Sequence, residues 1–366
     1  MPIYMDIHQV PGAQAQDLAE AHSKDLLIQE EFQCKCITYW LDESRGSAFC
    51  LIEAPNASAV TEIHRKSHGF VPNKVIEVRN DIVESFLGRI HDPEDAVVLD
   101  NGLKMINDPA FRFLLVTDIT DPVILKSKLG AEKTIEWLNR QNKIIRKEIS
   151  AHKGREVEYA GTGFIVSFSS AEQAVQSALA ILQGLAAAER SATGFKIAIH
   201  AGEPISKSDQ LFGDIIQLAK YLCTVSNHDQ IVISTTVKEL LARDFFMDNQ
   251  EHILTPAPQD ETLMESLFNI LEKNWQDSDF TIEHFCRKMS MSKSQLYRKT
   301  TTLWNLAPNA LLQEFRLIKA KGLLKNHSGN IAQTTFDSGF TSPSYFTKCF
   351  KKKFGLLPAG YLNARS

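Results

Sequence analysis

Hydrophobic and polar positions switch between two periods along most of this chain. Ile3–Val10 alternates and stops at Pro11-Gly12, as a half-buried strand does. Gln14–Phe32 has helical spacing. Cys36–Leu41 and Ala48–Glu53 read as strands about a turn at Asp42–Gly46, Ala57–Ser67 as a helix, and Val75–Val78 as a short strand. Residues 80–111 form a connector with a helix near Ile82–Ile90 and turn signals at Asp92-Pro93 and Asp108-Pro109. The alternation then returns on a larger scale over 112–243. Arg112–Thr117 is a buried strand run. Asp121 caps a helix with Pro122 in its first position, running to about Ser150. Two strands flank Gly161-Thr162-Gly163, and Ser170 opens a helix over Ala171–Ala188. Phe195–His200, Gly213–Thr224 and Ile231–Ser234 follow as strand, helix and strand.

A Pro-containing linker at 244–262 (Thr255-Pro256-Ala257-Pro258) separates these segments from 263–366, which is helical. The order strand-helix-strand-strand-helix-strand is the ferredoxin-like plan. The predicted fold is α+β and multidomain: two ferredoxin-like (βαββαβ) domains at 1–79 and 112–243, followed by an all-α tandem helix-turn-helix domain.

Two cap signals mark the key helices of that last domain. Ser292 with Gln295 forms a capping box, and Ser342 precedes Pro343. Phe346, Phe350 and Phe354 are spaced four apart as an inward stripe, leaving Ser344, Thr347, Lys348 and Lys351 outward. In the first helix Leu296 and Leu303 face in, while Ser294, Gln295, Arg298 and Lys299 face out.

Charge sharpens this picture. The chain carries a net −4, yet Cys286–Ser366 holds 14 Lys and Arg against two acids, Glu314 and Asp337, leaving −16 on the remainder. A basic module on an acidic body points to a polyanionic partner, double-stranded DNA. Six cysteines in 366 residues do not make a disulfide framework, and Cys34 and Cys36 read as strand residues. No run of 18 apolar residues and no signal-peptide pattern occurs, so no membrane partner is expected and the cytoplasm is the expected compartment.

The segments MSKSQLYRK, FRLIKAKGLL and GFTSPSYFTKCFKKKFGLLPAGYL resemble the AraC/XylS family of DNA-binding domains, over about 267–362. The resemblance implies two helix-turn-helix units joined by a long helix, Asn309–Leu324, with readers at Ser292–Thr300 and Pro343–Lys353. The expected DNA-contacting residues are Ser292, Lys293, Ser294, Gln295, Arg298 and Lys299 in the first unit. In the second they are Ser342, Ser344, Thr347, Lys348, Lys351 and Lys352, with Lys353 adding charge. Thr300, Thr334, Thr335 and Ser338 depart from the family pattern.

FLLVTDIT, EYAGTGFIVSF, KIAIHAGEP and LFGDIIQLAKYL resemble the class III nucleotide cyclase homology domain. Asp118 matches the first metal-holding aspartate, but the second falls at Thr162. The base-reading lysine and aspartate fall at Glu158 and Gln210, and the asparagine and arginine that steady the phosphoryl group at Gln217 and Tyr221. Phosphoryl transfer rests on positioning and charge neutralisation, so no catalytic residue set is expected.

His64 and His68 stand four apart on a predicted helix (Ile63-His64-Arg65-Lys66-Ser67-His68-Gly69), a spacing that suits a metal; His8 ends the first strand and His22 lies on the first helix. MDIH, AEAHSKD, YWLDESRG, FCLIEAP and IHRKSHGF resemble a family of ferredoxin-like nickel-binding proteins. The implied cofactor is nickel or another transition metal on His8, His22, His64 and His68, with Asp6 or Glu53 as weaker candidates. The combined expectation is a DNA-binding transcriptional regulator, a homodimer, whose N-terminal domains respond to a small-molecule or metal effector. The alternatives are a nucleotide cyclase-like enzyme or nucleotide sensor, and a metal-binding sensor.

Overall fold

The computed structural model describes residues 1–119, 121–159, 163–188, 195–225, 230–326 and 330–365. The N-terminal unit comprises β1 (Ile3–Gln9), α1 (Ala15–Ile28), β2 (Lys35–Asp42), β3 (Ser47–Glu53), α2 (Ala57–Ser67) and β4 (Lys74–Val78). Its sheet runs β2-β3-β1-β4 with every neighbour antiparallel. Successive side chains on β1 point to opposite faces. Tyr4 therefore joins Cys36, Cys50 and Ile52 beneath the helices, against Leu18, Val60 and Ile63. Met5 and Ile7 join Trp40, Phe49, Leu51 and Ile76 on the opposite face.

That second face is not left to solvent. The connector folds as α3 (Asn80–Leu87) and a small hairpin of β5 (Val97–Val98) and β6 (Lys104–Met105). Val83, Phe86 and Leu87 of α3 pack between the first sheet and the next. Arg112 then closes the junction. Its buried guanidinium donates to the carbonyls of Phe86, Leu87 and Pro109 at 3.2, 2.9 and 2.6 Å, which satisfies a cation that burial would otherwise strand.

The middle unit contains β7 (Arg112–Asp118), α4 (Pro122–Leu129), α5 (Ala131–Ala151), β8 (Arg155–Tyr159), β9 (Phe164–Phe168), α6 (Ala171–Ala187), β10 (Lys196–Gly202), α7 (Gly213–Val225), β11 (Ile231–Ile233), α8 (Thr235–Glu239), α9 (Arg243–Asn249) and β12 (Ile253–Leu254). Its sheet runs β8-β9-β7-β10-β11-β12. The strand pairs from β8 to β10 are antiparallel, while β11 and β12 add on in parallel. The predicted helix from Asp121 to Ser150 is two helices, because Gly130, at φ +83, ends α4. The stretch expected as a linker is likewise ordered, as α9, β12 and the opening of the next helix.

The C-terminal region is all-helical: α10 (Pro258–Asn274), α11 (Ile282–Met289), α12 (Lys293–Trp304), α13 (Pro308–Asn326), α14 (Ile331–Asp337), α15 (Pro343–Phe354) and α16 (Pro358–Arg365). The whole is a mixed α+β chain ending in a tandem helix-turn-helix region. Gly339 sits in the α14–α15 turn at φ +76, and an added Cβ would lie 2.3 Å from the Trp275 carbonyl oxygen. The turn thus needs glycine for both conformation and space. The four departures from the family pattern, Thr300, Thr334, Thr335 and Ser338, are buried. Thr300 and Thr335 donate their hydroxyls to carbonyls of their own helices, and Ser338, just after α14, donates to the Thr334 carbonyl, so their polarity is locally satisfied.

The region docks onto the middle unit at two places. Tyr221 of α7 stacks on Phe268 of α10 at 4.1 Å, and Trp304 Nε1 donates to Thr224 Oγ1 at 2.8 Å. At the other end Ile124 of α4 enters a cluster with Phe346, Phe350, Phe354 and Tyr361.

Candidate nucleic-acid interface and histidine cluster

The two helices expected to read DNA, α12 and α15, are set by their caps. Ser292 Oγ accepts from the Gln295 backbone and Gln295 Oε1 accepts from the Ser292 backbone, at 3.2 and 2.9 Å. Ser342 Oγ accepts from the Tyr345 backbone at 3.3 Å. Leu296 in α12 and Phe346, Phe350 and Phe354 in α15 are buried, which turns the opposite faces outward. Leu303 is only half-buried.

The structure sorts the expected contact residues. Ser294, Arg298, Ser344, Lys348, Lys351 and Lys352 are exposed, and Ser342 and Thr347 are half-buried. Ser292 and Gln295 are exposed, but their side chains are occupied by the cap. Lys293 pairs with Glu283 at 2.5 Å, Lys299 with Asp260 at 3.3 Å and Lys353 with Glu314 at 2.6 Å. Among the described residues, Arg298, Lys348, Lys351 and Lys352 stand outside every ion pair. Sequence reading passed over Tyr297 and Tyr345, which are 56% and 53% exposed. Tyr345 is held by a hydrogen bond from its hydroxyl to Gln313.

In the N-terminal unit the structure gathers three of the four expected histidines. The rings of His8 and His64 lie 4.8 Å apart, and those of His64 and His68 5.1 Å apart. Asp6 accepts from the Cys50 backbone at 3.2 Å and lies 2.9 Å from His64 Nε2. Asp25 lies 3.1 Å from His64 Nδ1 and 3.3 Å from His68 Nε2. Burial opposes a charge on His64, but Asp6 and Asp25 outweigh it and push its pKa up to about 10. Both carboxyls are held well below the usual carboxylate range; burial acts against this, and the facing histidines prevail.

His22 stands apart from the group. Its ring packs 5.2 Å from Tyr39, and burial moves its pKa down. Glu53 lies at the other end of β1's partner strand, paired with the N-terminal amine. Asp25 and Cys50 were not anticipated. Cys50 is the cross-strand partner of Asp6, so a register drawn from the alternation could have found it. Asp25 enters only through the packing of α1 against α2.

Donor atoms of Asp6, His8, Cys50 and His64 all lie within 4.8 Å of one another, as do those of Asp25, His64 and His68. His8 is 4% exposed; its Nε2 is 3.2 Å from Asp6 Oδ1, and its Nδ1 has no hydrogen-bond partner among the described residues. Buried imidazole nitrogens normally find a partner, so this orphan and the mixed nitrogen, sulfur and oxygen set fit a first-row transition ion. A cavity of about 480 Å³, whose wall includes His8, His22, Tyr39, Cys50 and His68, lies beside the group.

In the middle unit Asp118 ends β7 with an exposed side chain, and Glu158 and Gln210 are exposed. Thr162 lies outside the described residues. Gln217 and Tyr221 hydrogen-bond to each other. Tyr221 is buried against α10, and that burial raises its pKa.

Three family models match successive stretches of the chain. A nickel responsive protein family, SCO4226-like, matches residues 4–78, the adenylate and guanylate cyclase catalytic domain matches 113–264, and a helix-turn-helix domain matches 285–364. The C-terminal part is similar to HTH-type transcriptional regulators.

Among individual relatives, the HTH-type transcriptional activator RhaR of Mannheimia succiniciproducens is 30% identical over 105 residues, covering 29% of this chain and 38% of that protein. Histidine kinase P4 of Formosa agariphila is 37% identical over 122 residues, covering 32% of this chain and 9% of that protein. The chain therefore spans well under half the length of both. The solved structure of SCO4226 from Streptomyces coelicolor A3(2) is 30% identical, with 21% of this chain and 97% of that chain covered at a TM-score of 0.20.

Proposed function

We propose that the chain is a sequence-specific DNA-binding transcriptional regulator with two sensing or scaffolding units ahead of its DNA module. The observation that carries this is the pair of capped helices α12 and α15, whose outward faces present Ser294, Arg298, Ser344, Lys348, Lys351 and Lys352. Helices of this kind lie in successive major-groove segments, where hydroxyl and cationic side chains meet base edges and phosphates. The test is selection of duplexes from a random-sequence library by the full chain. Enrichment of one motif, bound more tightly than scrambled duplex, supports the reading; recovery of no motif at low salt overturns it.

Both α+β units belong, in this proposal, to the ferredoxin-like plan; the shared placement of the first strand between the third and fourth supports it. The middle unit is a scaffold rather than a cyclase. Gln217 and Tyr221, at the positions that steady a phosphoryl group in the resembled family, are occupied by each other and by the DNA module.

The effector reading is a transition metal such as nickel. Asp6, His8, Cys50 and His64 would hold it, and the bound ion supplies a fixed positive charge and an organising centre for these ligands. Asp6 already orients His64, and β1 carries Asp6 and His8 on one face with Met5 and Ile7 packed toward the middle unit on the other. An ion changes DNA binding only as far as it prefers one arrangement of the units.

A further inference from the structure

We propose that Asp121, a residue of the middle unit, is a positioning residue for DNA recognition: it fixes α15 relative to α12. The inference rests on the DNA-binding reading above. Asp121 is 3% exposed and among the described residues serves at least three groups at once. Its Oδ1 accepts from the Val123 backbone at 2.9 Å, capping α4. Its Oδ2 accepts from the Tyr361 hydroxyl at 3.0 Å and lies 3.1 Å from Lys321 Nζ. Tyr361 is fully buried on α16 and packs its ring 5.9 Å from Phe350, in the inward stripe of α15. Lys321 comes from α13 and lies over the Phe354 ring, the last residue of that stripe. One carboxylate therefore reaches two residues, on α13 and α16, that each pack against a ring of the α15 stripe.

Apolar packing closes the same joint. Ile124, three residues beyond Asp121, is buried with Leu317, Leu324, Phe346 and Tyr361. The second helix-turn-helix unit thus completes its core with a side chain from another domain.

The first unit is gripped separately through the Tyr221–Phe268 stack, the Trp304–Thr224 hydrogen bond and Glu261, which accepts from the Thr235 backbone at 2.6 Å. Two grips on one body fix the separation of the two reading helices more tightly than α13 alone. The exposed faces of α12 and α15 stay open in this docked arrangement. Placing both readers in advance raises affinity because the competent arrangement is already populated.

The test uses the full chain and the duplex it selects from a random library, with Asp121→Asn and Tyr361→Phe. Tyr361→Phe removes one hydroxyl and leaves the ring and the Lys321 pair in place, so it guards against loss of folding. Affinity is read on the selected duplex, on scrambled duplex, and on versions with one base pair inserted or deleted between the two contacted segments. The expected result is an affinity loss of about tenfold on the selected duplex for both variants, unchanged binding to scrambled duplex, and a smaller penalty for altered spacing than the parent shows. A merely structural role would not flatten the spacing preference. Wild-type affinity and wild-type spacing dependence in both variants overturn the inference while DNA binding stands. Equal losses on selected and scrambled duplex also overturn it. If the parent chain selects no duplex, the DNA reading itself fails and takes the inference with it.

Discussion

The cations that face DNA should differ from those already committed within the chain, and salt dependence separates them. Arg298, Lys348, Lys351 and Lys352 are outward-facing with no ion pair among the described residues, whereas Lys293, Lys299 and Lys353 are paired with Glu283, Asp260 and Glu314. Each phosphate neutralised on B-DNA contributes about −0.9 to the slope of log affinity against log salt. If each of the four free cations meets a phosphate, together they contribute about −3.6. Raising salt from about 50 to about 200 mM then weakens binding about 150-fold through these contacts, or about 3.5-fold for each. Single alanine substitutions at Lys348, Lys351 and Lys352 should each flatten the slope by about 0.9. Substitutions at Lys293, Lys299 and Lys353 should change it little, because their charge is already partly neutralised in the free protein. The assay is fluorescence anisotropy of a labelled duplex titrated at several salt concentrations. Equal flattening by the paired and unpaired lysines would refute the ranking, and no flattening by Lys348, Lys351 or Lys352 would place DNA elsewhere on the surface.

Three further outcomes are expected. His200 is buried beside Ser234, and burial drops its pKa to about 4. Because the folded value is the lower one, its stabilisation is complete above the ordinary value near 6.5 and fades as pH falls through 4, a loss on the order of 3 kcal/mol. Urea melts should show that loss in the parent and not in His200→Gln, and parallel pH profiles would contradict it. Restoring the cyclase-type arginine by Tyr221→Arg places a charge where the parent ring is 6% exposed and stacked on Phe268. An uncompensated buried charge of this kind costs about 4 kcal/mol, so a lowered urea midpoint and no cyclic product from ATP or GTP with Mn²⁺ are expected. Recovered cyclase activity would count against the scaffold role. In equilibrium dialysis against nickel, His64→Ala should weaken binding more than about 100-fold, beyond the loss usual for an outer partner, while His22→Ala stays within about twofold. Reversed effects would move the site to His22.

Legibility followed the range of the interactions. The reading helices were visible because a cap, a four-residue stripe and a cation on the outward face are all local: Ser342, Phe346 and Lys348 fall within two turns of α15. The element order of the N-terminal unit, from β1 to β4, was visible for the same reason. The α4–α5 division was missed because a single glycine at φ +83 interrupts an otherwise helical pattern. The histidine group was half visible. His64 and His68 share one helical face, but His22 sits on the same helix as Asp25 and only the packing angle of α1 decided which of them meets His64.

The sequence by itself determined most of the elements, their caps and the basic character of the C-terminal end, since period, capping and charge depend on neighbours within a few residues. Only the tertiary structure decided which cations are free among the described residues, which acids close the histidine group, and that α4 and α7 hold the helix-turn-helix region at two points. Those outcomes join residues such as Asp121 and Tyr361 that lie far apart along the chain. No local pattern encodes them, because the energy that selects such a pairing is the burial of both partners in one shared core.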